Sequence, residues 1–147
     1  MRLRVPYLRL AAFTLLTATA GLAQAPGRHP EYMHALADLR YARAYLSEPL
    51  HNGTINPNAQ MAIQEIDRAI AEIKKASIDD GKNLNDHPPI DAQMQGSGRY
   101  HKALELIDQA HADVSHTEDM PNARELQTRI KEHLDAAHRY LDQAMGR

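Results

Sequence analysis

The sequence predicts an all-α protein, an antiparallel four-helix bundle, and three observations carry that reading. Apolar residues recur at spacings of three and four in four separate segments, as one face of a helix requires. No stretch alternates apolar and polar residues long enough to make a strand, and β-branched residues are few outside the isoleucines of one segment. Proline and asparagine stand where these segments begin or just past where they end, never inside an apolar stripe.

The chain opens with Arg2, Arg4 and Arg9, then an uncharged run from Leu10 to Ala20, then small residues at Gly21, Ala23 and Ala25. A basic stretch, a short apolar stretch and small residues at peptidase spacing are the layout of an export signal. The run is shorter than the ~20 residues that span a bilayer. Residues 1–25 are therefore expected to be a signal peptide, cut after Ala23 or after Ala25, leaving no stable membrane anchor. The absence of cysteine excludes a lipid-modified start and any disulfide. Residues 26–147 are expected to form one helical domain.

The first helix carries Tyr32, Leu36, Leu39, Arg43 and Leu46 on one stripe, opened by His29-Pro30 and followed by Pro49. The second carries Ile63, Ile66, Ala69, Ile70 and Ile73, with Asn56-Pro57 as cap and first position and Gly81 as a stop. The third begins near Ser97 and carries Tyr100, Leu104, Ile107, His111 and Val114. The fourth starts at Pro121 and carries Leu126, Ile130, Leu134, Ala137 and Leu141. Between the second and third lies a long connection, at about residues 81–98. It is rich in Asp and Asn at first and ends in Gly96-Ser97-Gly98. Connections of that length are packed crossovers, functional loops or disordered segments.

The chain also matches itself. A shift of 68 places Tyr32, Ala35, Leu36, Leu39, Ala42, Leu46 and Ser47 on Tyr100, Ala103, Leu104, Ile107, Ala110, Val114 and Ser115. A shift of 64 places Pro57-Asn58-Ala59 on Pro121-Asn122-Ala123 and Ile66 on Ile130. A duplicated helical hairpin produces this pattern, and so can any two amphipathic helices; the identical Pro-Asn-Ala openings favour duplication.

The segments His29-Pro30-Glu31-Tyr32, Ala37-Asp38-Leu39-Arg40-Tyr41-Ala42-Arg43, Glu65-Ile66-Asp67-Arg68-Ala69-Ile70 and Asp79-Asp80-Gly81-Lys82 with His87-Pro88-Pro89 resemble a family of small secreted bacterial helical proteins of uncharacterised function. That resemblance implies a compartment and a helical fold, and no activity or site residue.

Charge narrows the partners. Removing the three leader arginines leaves 14 basic residues against 19 acidic ones, a net charge of −5. Such a surface repels phosphate backbones, and no basic stripe interleaved with aromatics is present, so nucleic acid is not an expected partner.

Nine histidines stand in the chain. Asp108 with His111 and Asp135 with His138 place a carboxylate and an imidazole three residues apart on two helices. Di-iron bundles use that spacing with Glu in place of Asp, together with a Glu on each remaining helix. Only His111 of the four falls on an apolar stripe, and no Glu falls squarely on the first or second stripe. A weak surface site for Zn or Cu on these residues is therefore the alternative reading, with no cofactor the first. The connection's Asp79, Asp80, Asn83, Asn85 and Asp86 do not follow the EF-hand order. Nucleophile elbows, HExxH, phosphate loops and haem attachment motifs are missing, so no catalytic residue is assigned.

On the first helix, His34, Asp38, Tyr41 and Tyr45 lie together opposite the core stripe. They are expected either to contact another chain or to cover the connection. Arg43 and His111 hold the same place under the 68-residue shift. Either each points outward near its helix C-terminus, or both enter one polar pocket for an anionic group. The residues thus support an exported, periplasmic or extracellular, binding or interaction module for a protein or small ligand. Arg43, His111, Tyr41 and Tyr45 are its candidate ligand-binding residues. A divalent-metal protein using His111, Asp108, His138 and Asp135 is the alternative, and an enzyme the third reading.

Overall fold

The computed structural model describes residues 30–50, 52–77, 84, 98–116 and 121–147. The expected signal peptide and its cleavage point, the stop at Gly81, the acidic run 79–86 and most of the long connection lie outside the described residues. Four helices are formed: α1 (Pro30–Ser47), α2 (Pro57–Ser77), α3 (Gly98–Val114) and α4 (Pro121–Ala144). The all-α four-helix reading is correct.

Local chemistry sets the helix ends. The Asn56 side chain accepts from the backbone N–H of Asn58 at 2.8 Å and of Ala59 at 3.3 Å, capping α2 ahead of Pro57, which has no N–H to satisfy. Lys74 and Lys75 occupy the last turn of α2, where a cation faces the negative end of the helix dipole. At the end of α4, Arg147 N–H reaches back to Asp142 C=O at 3.0 Å and Gly146 N–H to Gln143 C=O at 3.2 Å. Gly146 has φ of 77°, the left-handed conformation this ending requires. The amide of Gln127 on α4 donates to Val114 and His116 carbonyls, both at 2.6 Å, closing the C-terminus of α3.

α1 packs on α2 and α3, and α4 packs on the same two; α1 and α4 are diagonal, as are α2 and α3. Every neighbouring pair is antiparallel. Glu65–His133 and Glu72–Arg129 run in opposite senses along α2 and α4, as His111–Asp135 and Asp108–His138 do along α3 and α4. The Arg99 guanidinium at the start of α3 donates to Pro49 C=O just beyond the end of α1, at 3.2 Å. It follows that α2 ends at one pole of the bundle and α3 begins at the other. The long connection is therefore a crossover between poles.

Between the helices lies one core of Leu36, Leu39, Leu46, Ile66, Ile73, Ile107, Val114, Ile130, Leu134 and Leu141, filled in by alanines. Each stripe needed correction: Arg43 on α1 is exposed, and His111 on α3 and Leu126 on α4 are only partly buried. On α2 the buried row is Ala59, Ala62, Ile66, Ala69 and Ile73, with Ile63 and Ile70 at its margin. On α3, Leu106 is buried and Leu104 only partly so. Each helix touches two neighbours, so its buried arc is wider than a single stripe and its centre is set by both contacts.

The internal match has a structural counterpart. Tyr32 and Tyr100, Ala35 and Ala103, Leu39 and Ile107, Ala42 and Ala110, and Leu46 and Val114 are buried in both members of each pair. Ser47 donates its hydroxyl to Arg43 C=O at 2.8 Å, and Ser115 to His111 C=O at 2.7 Å. Exchanging α1 with α3 and α2 with α4 leaves the pattern of neighbours unchanged, as a two-fold relation between hairpins requires.

Candidate functional site

The seam between α3 and α4 gathers the four residues singled out for metal. His111 Nε2 lies 3.4 Å from Asp135 Oδ1 across the seam. One turn along, His138 Nε2 lies 3.5 Å from Asp108 Oδ1, while its Nδ1 lies 3.3 Å from Asp142 Oδ2 on its own helix. The spacing of three on two antiparallel helices crosses the partners over, so each imidazole meets the carboxylate of the other helix. A neutral imidazole has one N–H, so it can donate to only one of the two aspartates flanking His138. Arg147 extends the seam, 3.8 Å from Asp142 and 3.1 Å from His101 Nε2. These groups line the outside of the bundle, with Asp108 and Asp135 more than half exposed. Among the described residues no group of three or more His, Cys, Asp or Glu is placed to hold a metal ion.

Arg43 and His111 are equivalent in their contacts yet do not converge. The Arg43 guanidinium donates to Asp67 at 2.6 Å across the α1–α2 seam, and His111 meets Asp135 across the α3–α4 seam. Arg43 and His111 answer to each other under the 68-residue shift, whereas in the 64-residue register of α2 and α4 Asp67 answers to Lys131; the two pairs occupy opposite sides of the bundle. Of the two arrangements open to them, the structure has the outward one. Arg43 is exposed despite its place on an apolar stripe, because Asp67 draws it to the rim.

α1's outer face differs from the expectation. Tyr41 and Tyr45 are partly buried against the core, and so is Leu84 of the connection. The Arg40 guanidinium donates to Leu84 C=O, tying the crossover to this helix. His34 remains exposed. Burial, then the nearby Asp113 carboxylate, push the Asp38 carboxyl above its ordinary range, against the opposing pull of His34 and Lys102.

Sequence reasoning missed Glu65. It is buried on α2, held by Arg68 at 2.6 Å and by His133 Nδ1 at 2.8 Å. Centring the α2 row on its isoleucines leaves no Glu squarely on it. The row Ala59, Ala62, Ile66, Ala69, Ile73 brings Glu65 to the α4 side, and its spacing of three from Ala62 and four from Ala69 was the available signal. Beyond it, Glu72 receives Lys75 at 2.8 Å and Arg129 at 3.3 Å, and the Lys75 hydrogen bond leads in holding its carboxyl below the usual range. Arg99, also unforeseen, is buried and stacks 5.2 Å from the centre of the Tyr100 ring. The Tyr100 and Ser77 hydroxyls are buried without a hydrogen-bond partner among the described residues.

Fold and seams together define a helical bundle with an apolar interior and imidazole–carboxylate contacts on its outside. No described helix is long and apolar enough to cross a membrane. Compared with known proteins, the chain matches no family model, no curated protein and no solved structure.

Proposed function

We propose that the protein is an exported binding or interaction module that works through its outer surface. The observation that supports this most is where the polar chemistry lies. The side chains a bundle would use for an interior cofactor, Asp108, His111, Asp135 and His138, line an outer seam, while the interior is mostly Leu, Ile, Val and Ala, with Tyr32, Tyr100, Glu65, Ser77 and Arg99 also buried. Export rests on the leader-like residues 1–25, and the likeness to small secreted bacterial helical proteins belongs to the same proposal. The part of the surface we assign to a partner is the α1 face bearing Tyr41 and Tyr45, whose rings are amphipathic and half covered. Arg43 and His111 act at most singly and on other parts of the surface, since they lie on opposite sides of the bundle. A photo-crosslinking residue at Tyr41 or Tyr45, introduced in the native host, is expected to trap one discrete partner that the same residue at exposed Gln64 does not trap. Identical patterns from all three positions would remove the reading.

A second reading is favoured by the meeting of His111, Asp108, His138 and Asp135 on one seam: a weak divalent-metal site for Zn or Cu. Zn²⁺ titration is expected to give micromolar affinity or weaker, on the order of −8 kcal/mol. Stoichiometric nanomolar binding lost on His111→Ala would make metal binding the function.

A further inference from the structure

We infer that two copies of this chain can exchange their second hairpins, so that the surface closing the monomer is also the interface of a swapped dimer. The occupant of each hairpin's apolar face is then the equivalent hairpin of a second copy. This goes beyond the proposed module and does not rest on it.

The interfaces of the bundle support it first. The extensive packing is between hairpins, α2 on α4 and α1 on α3, and the packing within each hairpin is much slighter. A hairpin by itself leaves the apolar faces of both its helices open, and α3–α4 is what covers α1–α2. The best-buried polar contacts are also between hairpins: Glu65 with His133, and Glu72 with Arg129.

The connection supports it second. Twenty residues separate Ser77 from Gly98. At about 3.3 Å per residue they reach ~65 Å. The longest helix, of 24 residues, measures about 36 Å. Leu84 of the link is held on α1, and the thirteen residues after it still reach about 43 Å, enough to return to its own partner hairpin or to pass to a neighbouring bundle. A tether of about this length sets an effective concentration on the order of millimolar, so intrachain closure wins in dilute solution and exchange wins when the chain refolds crowded. In two bundles set side by side and antiparallel, the pole where α2 ends in one adjoins the pole where α3 begins in the other, which closes the dimer in both directions.

The absence of cysteine gives a clean test. Full-length Glu72→Cys and Arg129→Cys chains are unfolded together, refolded at high protein concentration and oxidised. We expect a disulfide-linked heterodimer joining one Glu72→Cys chain to one Arg129→Cys chain, with the helical content of the parent. It should be absent when the two proteins are mixed already folded, and it should fade as the refolding concentration is lowered. The pair Glu65→Cys and His133→Cys repeats the test at the neighbouring contact, should the first pair lose its helical content. Only monomers after crowded refolding of either helical pair, or same-chain homodimers forming as readily as heterodimers, would overturn the inference.

Discussion

Asp38 shows what one side chain can cost where the repeat is broken. Under the 68-residue shift it answers to Leu106, which is buried, whereas Asp38 is a carboxylate desolvated beside Asp113. The raised carboxyl means that the folded chain holds the proton more tightly than the unfolded one. Its charge therefore opposes folding at neutral pH, and that opposition fades as pH falls through the raised carboxyl range. Asp38→Leu is expected to stabilise by about 1 kcal/mol at pH 7, a rise in Tm of about 4 °C, with the gain shrinking on acidification. An unchanged or lowered Tm would mean that the carboxylate is needed where it stands. Glu65 and His133 make the opposite case. Removing the imidazole in His133→Ala strips a nearly buried carboxylate of one of its two hydrogen-bond partners, at a cost of about 1–3 kcal/mol in urea unfolding. Replacing both by methionine is expected to stay within about 1 kcal/mol of the parent, since the one charge left behind, Arg68, is exposed to solvent.

The elements were legible where local chemistry decides them. Asn56-Pro57 marked the start of α2, and Asn56 accepts two backbone N–H groups there. Asn56→Ala should cost about 1 kcal/mol and speed amide exchange in the first turn of α2 more than at its centre; uniform exchange would assign the stability elsewhere. Pro30, Pro49 and Pro121 bounded their helices for the same backbone reason. Tertiary choices were less legible. A stripe gives one direction, but each helix here answers to two neighbours, so Ile63 and Ile70 moved to the margin and Glu65 moved in. The residues Asp108, His111, Asp135 and His138 could be picked out by their spacing. Their crossed pairing depended on the antiparallel direction of α3 and α4 and on which faces meet, which spacing alone does not give. Periodicity puts the tyrosines of α1 opposite the core because it carries no trace of a crossover returning over that helix, which the contact of Arg40 with Leu84 records.

At the scale of the whole molecule, the surface decides behaviour more than the interior does. Residues 26–147 carry 14 basic and 19 acidic residues and nine histidines. None of the described histidines is buried: His34, His101 and His116 are exposed, and His111, His133 and His138 are partly so. Histidine as a class gains charge in the range just below neutrality. Charging all nine takes the net charge from −5 to +4 before any carboxylate is neutralised. Electrophoretic mobility is expected to reverse sign between about pH 7 and pH 5. Glu72, hydrogen-bonded by Lys75 and Arg129, keeps its charge to lower pH than a free carboxylate. The reversal separates two states of the outer seam. If imidazoles such as His111 and His138 are occupied by a bound cation in the protein as purified, they cannot take up protons over this range. The mobility change is then smaller than nine charges, and a chelator restores it. A full reversal without chelator leaves the seam with aspartates as its only partners, and an anodic mobility that persists at pH 5 after chelation would contradict the accessible placement of the histidines.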